Sequence, residues 1–295
     1  MAYRTPEALE MAVKAAAKAS PLDTGRAVSG FYFHRLLCRV FANEDSPFLL
    51  KGGQSMLART VDARATRDID LLSEKRDLGS ALADLKRLVA VDLGDFVSFE
   101  FVKTEAIKAD DEYRSGLNVV FTPLVGSKRM QDVSIDLVID VIPQDEAEIL
   151  TPADRIEVAG IPAFDYRIYP AASSLADKLC AMLEKREGRP SSRTKDLVDV
   201  VVYALMIDID GTALRDRVRT EAGARRMSLP DRFSVSSEWH DLHASRFGKL
   251  VRQTGLPPEY TDVSRAEGLA AHLFDPVLDG TSAGRTWDHK DLCWK

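Results

Sequence analysis

Two aspartates one residue apart, Asp68 and Asp70, lie in the stretch DIDLLS (68–73), which reads as a β-strand. Residues i and i+2 of a strand share a face, so both carboxylates point one way while Ile69 and Leu71 point to the core. Aspartate is disfavoured in strands, and two close carboxylates repel unless a cation lies between them. Mg2+ suits this arrangement, because it takes one or two carboxylates and completes its shell with substrate phosphates and water. A third acid extends the pattern. In DVSIDLVIDV (132–141), Val133, Ile135, Leu137 and Ile139 alternate with Ser134, Asp136, Val138 and Asp140. Asp136 therefore lies mid-strand on the face opposite the apolar series. If this strand neighbours the DID strand, three carboxylates converge, as in two-metal phosphoryl or nucleotidyl transfer. Asp140 shares that face but sits at the strand end. A D-x-D taken alone also suits a solvent-facing strand edge.

Gly52 and Gly53 stand where PFLLKGG passes from a strand into a helix. Paired glycines let a backbone approach a ligand closely. Their N–H groups, with the helix start that continues through Gln54 and Ser55, form a natural phosphate site. A plain strand-to-helix turn would use the same residues. A second D-x-D lies in LMIDIDGTAL (205–214) and looks like the D-x-D-G-T loop of haloacid-dehalogenase-type phosphatases, with Asp208 as nucleophile and Asp210 as acid. Three features oppose that reading. VDVVVYALM follows a capped helix instead of opening a doubly wound sheet, only 85 residues remain after Asp210, and no later strand ends in paired acids. A helix-to-helix loop turning at Asp210-Gly211 accounts for the segment. His240 and His243 share a helical face without a visible third ligand, so zinc is not expected. Cys180 has apolar neighbours and reads as a buried small residue.

The elements that must position these residues follow from periodicity. Residues 6–19 and 25–43 read as helices, the second with Phe31, His34, Leu37, Cys38 and Phe41 on one stripe. A short strand ends at the glycine pair, a helix covers 54–59, the DID strand follows, and 77–91 is an amphipathic helix. The period then changes to two, giving strands over 97–107, 117–125 and 132–141, with a short extended piece at 167–170. Beyond Pro170 the pattern is helical: 174–187, capped by Ser173 or Ser174, then 195–206, capped by Thr194, then 211–226, 236–253 and 263–274. The break near 170 separates an α/β part, 1–170, from a helical part, 171–295. The last 15 residues carry no readable pattern.

Composition narrows the class further. Of 295 residues, 45% are apolar and 29% charged, which excludes a mainly disordered chain. No uncharged apolar run approaches the roughly 18 residues of a membrane span, and the N-terminus, with Glu7, Glu10, Lys14 and Lys18, is unlike a secretory signal. Three dispersed cysteines argue against a disulfide framework and fit a reducing cytoplasm. The net charge of −6 argues against nonspecific coating of nucleic acid. Local basic clusters remain: Lys178, Lys185, Arg186, Arg189, Arg193 and Lys195, opposed by Glu184 and Glu187, and then Arg215, Arg217, Arg219, Arg225 and Arg226. The second cluster suits an RNA backbone or plain surface solvation.

The order G-G, a spacer, D-x-D and a distant strand aspartate resembles the polymerase-β-like nucleotidyltransferase superfamily. Within it, the chain resembles the AbiEii/AbiGii-type toxin family, which includes the mycobacterial MenT-type toxins. The first motif matches at Gly52, Gly53, Leu57, Arg59, Thr66, Arg67, Asp68, Ile69 and Asp70. The helix pair matches at Lys178-Leu179-Cys180-Ala181 and at Lys195-Asp196-Leu197-Val198-Asp199. The resemblance spans about residues 48–206. It implies an α+β fold, a mixed sheet of the polymerase-β-like type with flanking helices followed by a helical part. It also implies transfer of a nucleoside monophosphate from an NTP to an acceptor, in MenT-type members the tRNA 3′ end, with Mg2+ or Mn2+, and neutralisation by a cognate antitoxin. Carried over, Asp68 and Asp70 hold metal together with Asp136, Lys178 binds the triphosphate, and Asp196 is essential in the same site. Gly52, Gly53, Gln54, Ser55, Thr66 and Arg67 contribute to nucleotide binding. Thr66 stands at the family's Ser/Thr position, where modification would silence the toxin by adding negative charge beside the metal acids. Physically, charge develops on departing pyrophosphate, and Lys178 with Arg189 or Arg193 can offset it. A protein hydroxyl as acceptor and a catalytically silent binding module are the alternatives.

Overall fold

The structure is a computed structural model that describes residues 3–43, 45–107, 114–140, 142, 145–185 and 188–295. Arg186 and Glu187 of the basic window, and Val141 of the expected strand, lie outside the described residues. The chain forms two compact units, one of residues 1–61 with 65–168 and one of residues 62–64 with 169–295.

The N-terminal unit opens with α1 (Pro6–Ala19) and α2 (Thr24–Phe41), capped by Thr5 and Asp23. Next come β1 (Phe48–Lys51), α3 (Gly52–Arg59), β2 (Asp68–Ser73) and α4 (Leu78–Val89). The remaining strands are β3 (Val97–Ala106), β4 (Arg114–Val125), β5 (Lys128–Arg129), β6 (Val133–Asp140), β7 (Glu148–Leu150) and β8 (Tyr166–Ile168). They form one mixed sheet in the order β3-β4-β6-β2-β1-β8-β7, with β5 beside β4. Strands β2 and β6 run parallel, and β1 lies antiparallel to β2. The alternation legible in the sequence decides which face is covered. Ile69, Leu71, Ile135, Leu137, Val119 and Phe121 are buried in one cluster with Leu37, Cys38 and Phe41 of α2 and with Leu85, Leu88 and Val89 of α4, whereas Phe31 of the expected stripe packs in a second cluster with α1. The opposite face carries the polar residues of the same strands.

The C-terminal unit is mainly helical: α5 (Ala171–Leu183), α6 (Thr194–Met206), α7 (Gly211–Ala224), α8 (Glu238–Asp241), α9 (Ala244–Val251) and α10 (Val263–Leu278). Three short strands accompany them, β9 (Ile209–Asp210), β10 (Thr286–Asp288) and β11 (Cys293–Trp294), in the order β11-β10-β9. Several boundaries differ from the sequence expectation. Helix α5 starts after Pro170 without a side-chain cap, because Ser173 and Ser174 are buried inside its first turn. Thr194 is likewise the first residue of α6, and Arg193 precedes it without capping. The span 236–253 is broken into α8 and α9.

Candidate active site

The polar face of the sheet brings the acids into register. Asp70 of β2 pairs with Lys51 of β1 on one side and with Asp136 of β6 on the other, and Asp136 pairs with Asn118 of β4. Asp68 stands opposite Ser134. Asp68, Asp70 and Asp136 are half-buried, while Ile69 and Ile135 between them are fully buried. The parallel pairing of β2 with β6 thus sets Asp136 level with Asp70, the neighbour relation on which convergence depends.

Each acid is oriented by a neighbour. The Thr66 hydroxyl donates to Asp68 Oδ1 at 2.9 Å. Asn118 Nδ2 donates to Asp136 Oδ1 at 2.8 Å and to Ser134 Oγ at 2.8 Å. The second oxygens of Asp68 and Asp136 have no hydrogen-bond partner among the described residues. Among the described residues no group of three or more His, Cys, Asp or Glu is set to hold a metal by itself. The unbonded oxygens of Asp68 and Asp136, beside Asp70 and with an incomplete protein shell, match a cation such as Mg2+ that keeps places for water and phosphate.

The glycine pair is explained by close approach. Gly52 has φ +64°, and a Cβ there would overlap the carboxylate of Asp70. The backbone packs this closely on an acid of the site, a contact that only glycine permits. A Cβ on Gly53 would lie 3.0 Å from that of Thr66. Helix α3 starts here without a side-chain cap, so its first N–H groups are not used by a capping side chain. Gln54 is buried, and its Nε2 donates to Asp154 Oδ2 at 3.1 Å. The Ser55 hydroxyl donates to Gly52 O at 2.9 Å, a local contact within the turn. Arg67 is exposed.

In the C-terminal unit a second charged group surrounds Lys178. Its ammonium lies 2.7 Å from Asp199 Oδ2 and 3.5 Å from Asp196 Oδ1. Asp199 also takes a two-pronged contact from Arg64, at 2.9 Å and 3.2 Å, and Asp196 accepts from Arg193 Nε. Both acids are almost wholly buried. Burial disfavours the Lys178 charge, but Asp199 and Asp196 more than offset this and raise its pKa. Burial likewise opposes the Asp199 carboxylate, and Lys178 and Arg64 outweigh it, holding Asp199 below its ordinary value.

The resemblance sets Asp196 in the same site as Lys178 and gives Asp199, a residue of the same motif, no role of its own. In the structure Asp199 makes the shorter contact with Lys178. Arg64 and Asn118 were not singled out. An asparagine on a strand was a usable signal for Asn118, whereas nothing local marks Arg64. Of the second basic cluster, Arg217 is buried against Glu221 and the Tyr169 hydroxyl, and Arg225 pairs with Asp177 and Glu184. These two are structural ion pairs and do not offer charge to an RNA backbone. Asp210 accepts from Ala213 N at 2.7 Å as the cap of α7, and Asp208 pairs with His289 at 2.7 Å, so both acids have structural partners. Burial pushes the Cys180 thiol up to about 12, which suits a packing residue.

A family model described as nucleotidyl transferase AbiEii toxin, type IV toxin–antitoxin system, matches residues 35–269. Among solved structures the chain is similar to MenT4, a nucleotidyltransferase toxin from Mycobacterium tuberculosis, at 15% identity and a TM-score of 0.54, covering 92% of this chain and 89% of that one. It is also similar to JHP933 from Helicobacter pylori, at 17% identity and a TM-score of 0.46, covering 85% and 91% of the two chains. The likeness to MenT4 is one of fold. No curated protein matches the chain.

Proposed function

The chain belongs to the AbiEii nucleotidyl transferase toxin family of type IV toxin–antitoxin systems, and on that premise we propose that it transfers a nucleoside monophosphate from an NTP to an RNA acceptor, the tRNA 3′ end, and so blocks aminoacylation and translation. The observation that carries this reading is the row of Asp68, Asp70 and Asp136 on one face of two register-matched parallel strands. In the proposal these three carboxylates hold a divalent cation, Mg2+ or Mn2+. Such a cation, when bound, activates the attacking hydroxyl and offsets charge on the departing pyrophosphate. Thr66 and Asn118 hold two of the carboxylates in place. The N–H groups at the start of α3 meet phosphate oxygens. Lys178, oriented by Asp199 and Asp196, supplies positive charge to the triphosphate.

The same reading gives Thr66 a regulatory use. Its hydroxyl is bonded to Asp68, so a phosphate added there would set negative charge against the carboxylate row. The partners are then an NTP, the acceptor end of tRNA and a cognate antitoxin, in the cytoplasm where these meet. Among the described residues no helix is long and apolar enough to cross a membrane.

The test is incubation of the purified protein with total tRNA and each radiolabelled NTP, with Mg2+ or Mn2+. Label is expected on the tRNA 3′ end. Asp68→Ala should reduce transfer by several orders of magnitude with an unchanged circular-dichroism spectrum, because a cation ligand is lost. Absence of label from every NTP with wild-type protein would overturn the reading.

A further inference from the structure

The N-terminal unit contains a cavity of about 580 Å3 that the reading above leaves without a role. Its size falls within the roughly 300–1,000 Å3 of small-molecule sites. It is walled by the first half of α2, by part of α3 and by residues 65–67 and 130–133.

Gly30 lies inside α2, where glycine weakens a helix relative to alanine. Its φ is not positive, and a Cβ there would meet no atom within 4 Å. Neither backbone conformation nor packing explains the residue. Gly30 lines the cavity, so a side chain there would enter the cavity. Gln54 lines it as well and is only 2% exposed. Its bond to the Asp154 carboxylate sets the amide orientation, which leaves Oε1 as an acceptor with no hydrogen-bond partner among the described residues. Tyr32 and Phe33 supply aromatic wall, and Arg67 supplies an exposed guanidinium with no ion-pair partner among the described residues. Thr66 lines the cavity too, and its hydroxyl donates to Asp68. One hydroxyl therefore links the cavity wall to the carboxylate row.

We propose that this cavity receives a nucleoside of the transfer reaction, and that residue 30 is glycine to leave room for it. The base meets the aromatic wall, an amino or hydroxyl group of the nucleoside donates to Gln54 Oε1, and the attached phosphate meets Arg67. This inference rests on the nucleotidyl-transfer reading. The nucleoside comes from the NTP or from the terminal nucleotide of the acceptor, and the experiment separates these sources.

Gly30→Leu should keep the wild-type circular-dichroism spectrum, since its side chain enters open space. Two titrations at one fixed salt concentration follow, one of each NTP with Mg2+ and one of a four-nucleotide RNA matching the tRNA 3′ end. Weakening of tenfold or more in the first assigns the cavity to the donor nucleoside, and in the second to the acceptor nucleoside. Gly30→Ala should weaken the same ligand by a smaller factor. Arg67→Gln, at an exposed site that does not threaten folding, should weaken it several-fold. Gly268→Leu, at an exposed glycine of α10 whose Cβ also meets nothing, should change neither titration. Unchanged binding of both ligands by Gly30→Leu, or by Arg67→Gln if the leucine variant does not fold, overturns the inference while wild-type label transfer stands. A wild-type protein that binds neither ligand and transfers no label overturns both.

Discussion

Gly52 and Lys178 show how single residues combine structural and chemical demands. Gly52 has φ +64° and lies against the carboxylate of Asp70. Gly52→Ala adds a left-handed strain of about 1–2 kcal/mol and displaces Asp70. We expect a lower melting temperature together with a loss of label transfer of at least a hundredfold. A destabilised variant that transfers label at the wild-type rate would remove Asp70 from the proposed cation site. Lys178 has its ammonium between two buried acids. Breaking a buried ion pair by removing one partner costs roughly 3–5 kcal/mol, so Lys178→Met should weaken NTP binding and also lower stability. Lys178→Glu would add a third acid to the same cluster and is a poor probe of the nucleotide site. The pH dependence has a definite sign. Asp199 is held below its ordinary value of 3.8, so its pairing stabilises the fold above that pH and is lost as pH falls through the lowered value. Lys178 is raised above 10.5, so its share is complete below that pH and is lost as pH rises past the raised value. The melting-temperature gap between wild type and Lys178→Met should be constant near neutrality and shrink below pH 3.8. A gap independent of pH down to full acid unfolding would contradict the pairing.

At the scale of elements, D-x-D motifs acquire meaning from the backbone that carries them. Asp68 and Asp70 stand on a central strand between β1 and β6. Asp208 precedes the two-residue strand β9, and Asp210 is its second residue and caps α7. Asp210→Ala should therefore cost about 0.5–2 kcal/mol of stability through the lost cap and leave label transfer unchanged, and neither it nor wild type is expected to hydrolyse p-nitrophenyl phosphate. Measurable hydrolysis by wild type that Asp210→Ala abolishes would restore the phosphatase reading. Strand and helix types were legible because the apolar period changes from two to 3.6 near Pro170. Caps were less legible. Ser173 and Ser174 have the right type for capping but are enclosed in α5, and burial outweighs local preference there.

At the scale of the whole molecule, the change of periodicity at Pro170 leads the sequence reading to expect a division there, but the content of the C-terminal unit is not legible in the same way. Its last residues showed no pattern, yet Trp287 is fully buried, donates to Ala204 O at 2.8 Å and meets Trp294 edge-on. Ending the chain after Gly284 removes β10 and β11 with both tryptophans. Loss of a buried tryptophan alone costs about 3–5 kcal/mol, so the shortened protein should melt well below wild type, read by the near-ultraviolet circular-dichroism signal. An unchanged melting temperature would show that the β9–β10–β11 sheet is not part of the unit's core.

The sequence by itself determined the main helices and the longer strands, the buried face of strands 68–73 and 132–141 and the identity of the acids, because these depend on spacing within a few residues; the short strands β5, β7, β9, β10 and β11 were not legible in it. DIDLLS and VSIDLVID each announce a polar face through alternation alone. What only the tertiary structure decided is which distant residues meet. That Asp70 and Asp136 are level depends on the register of β2 against β6, and a one-residue slip would turn Asp136 to the opposite face. That Arg64 grips Asp199, and that Arg217 and Arg225 are internal ion pairs, depends on contacts between segments far apart in the chain. The open space beside Gly30 is likewise bounded by α2, α3 and two loops, so no single stretch of sequence encodes it.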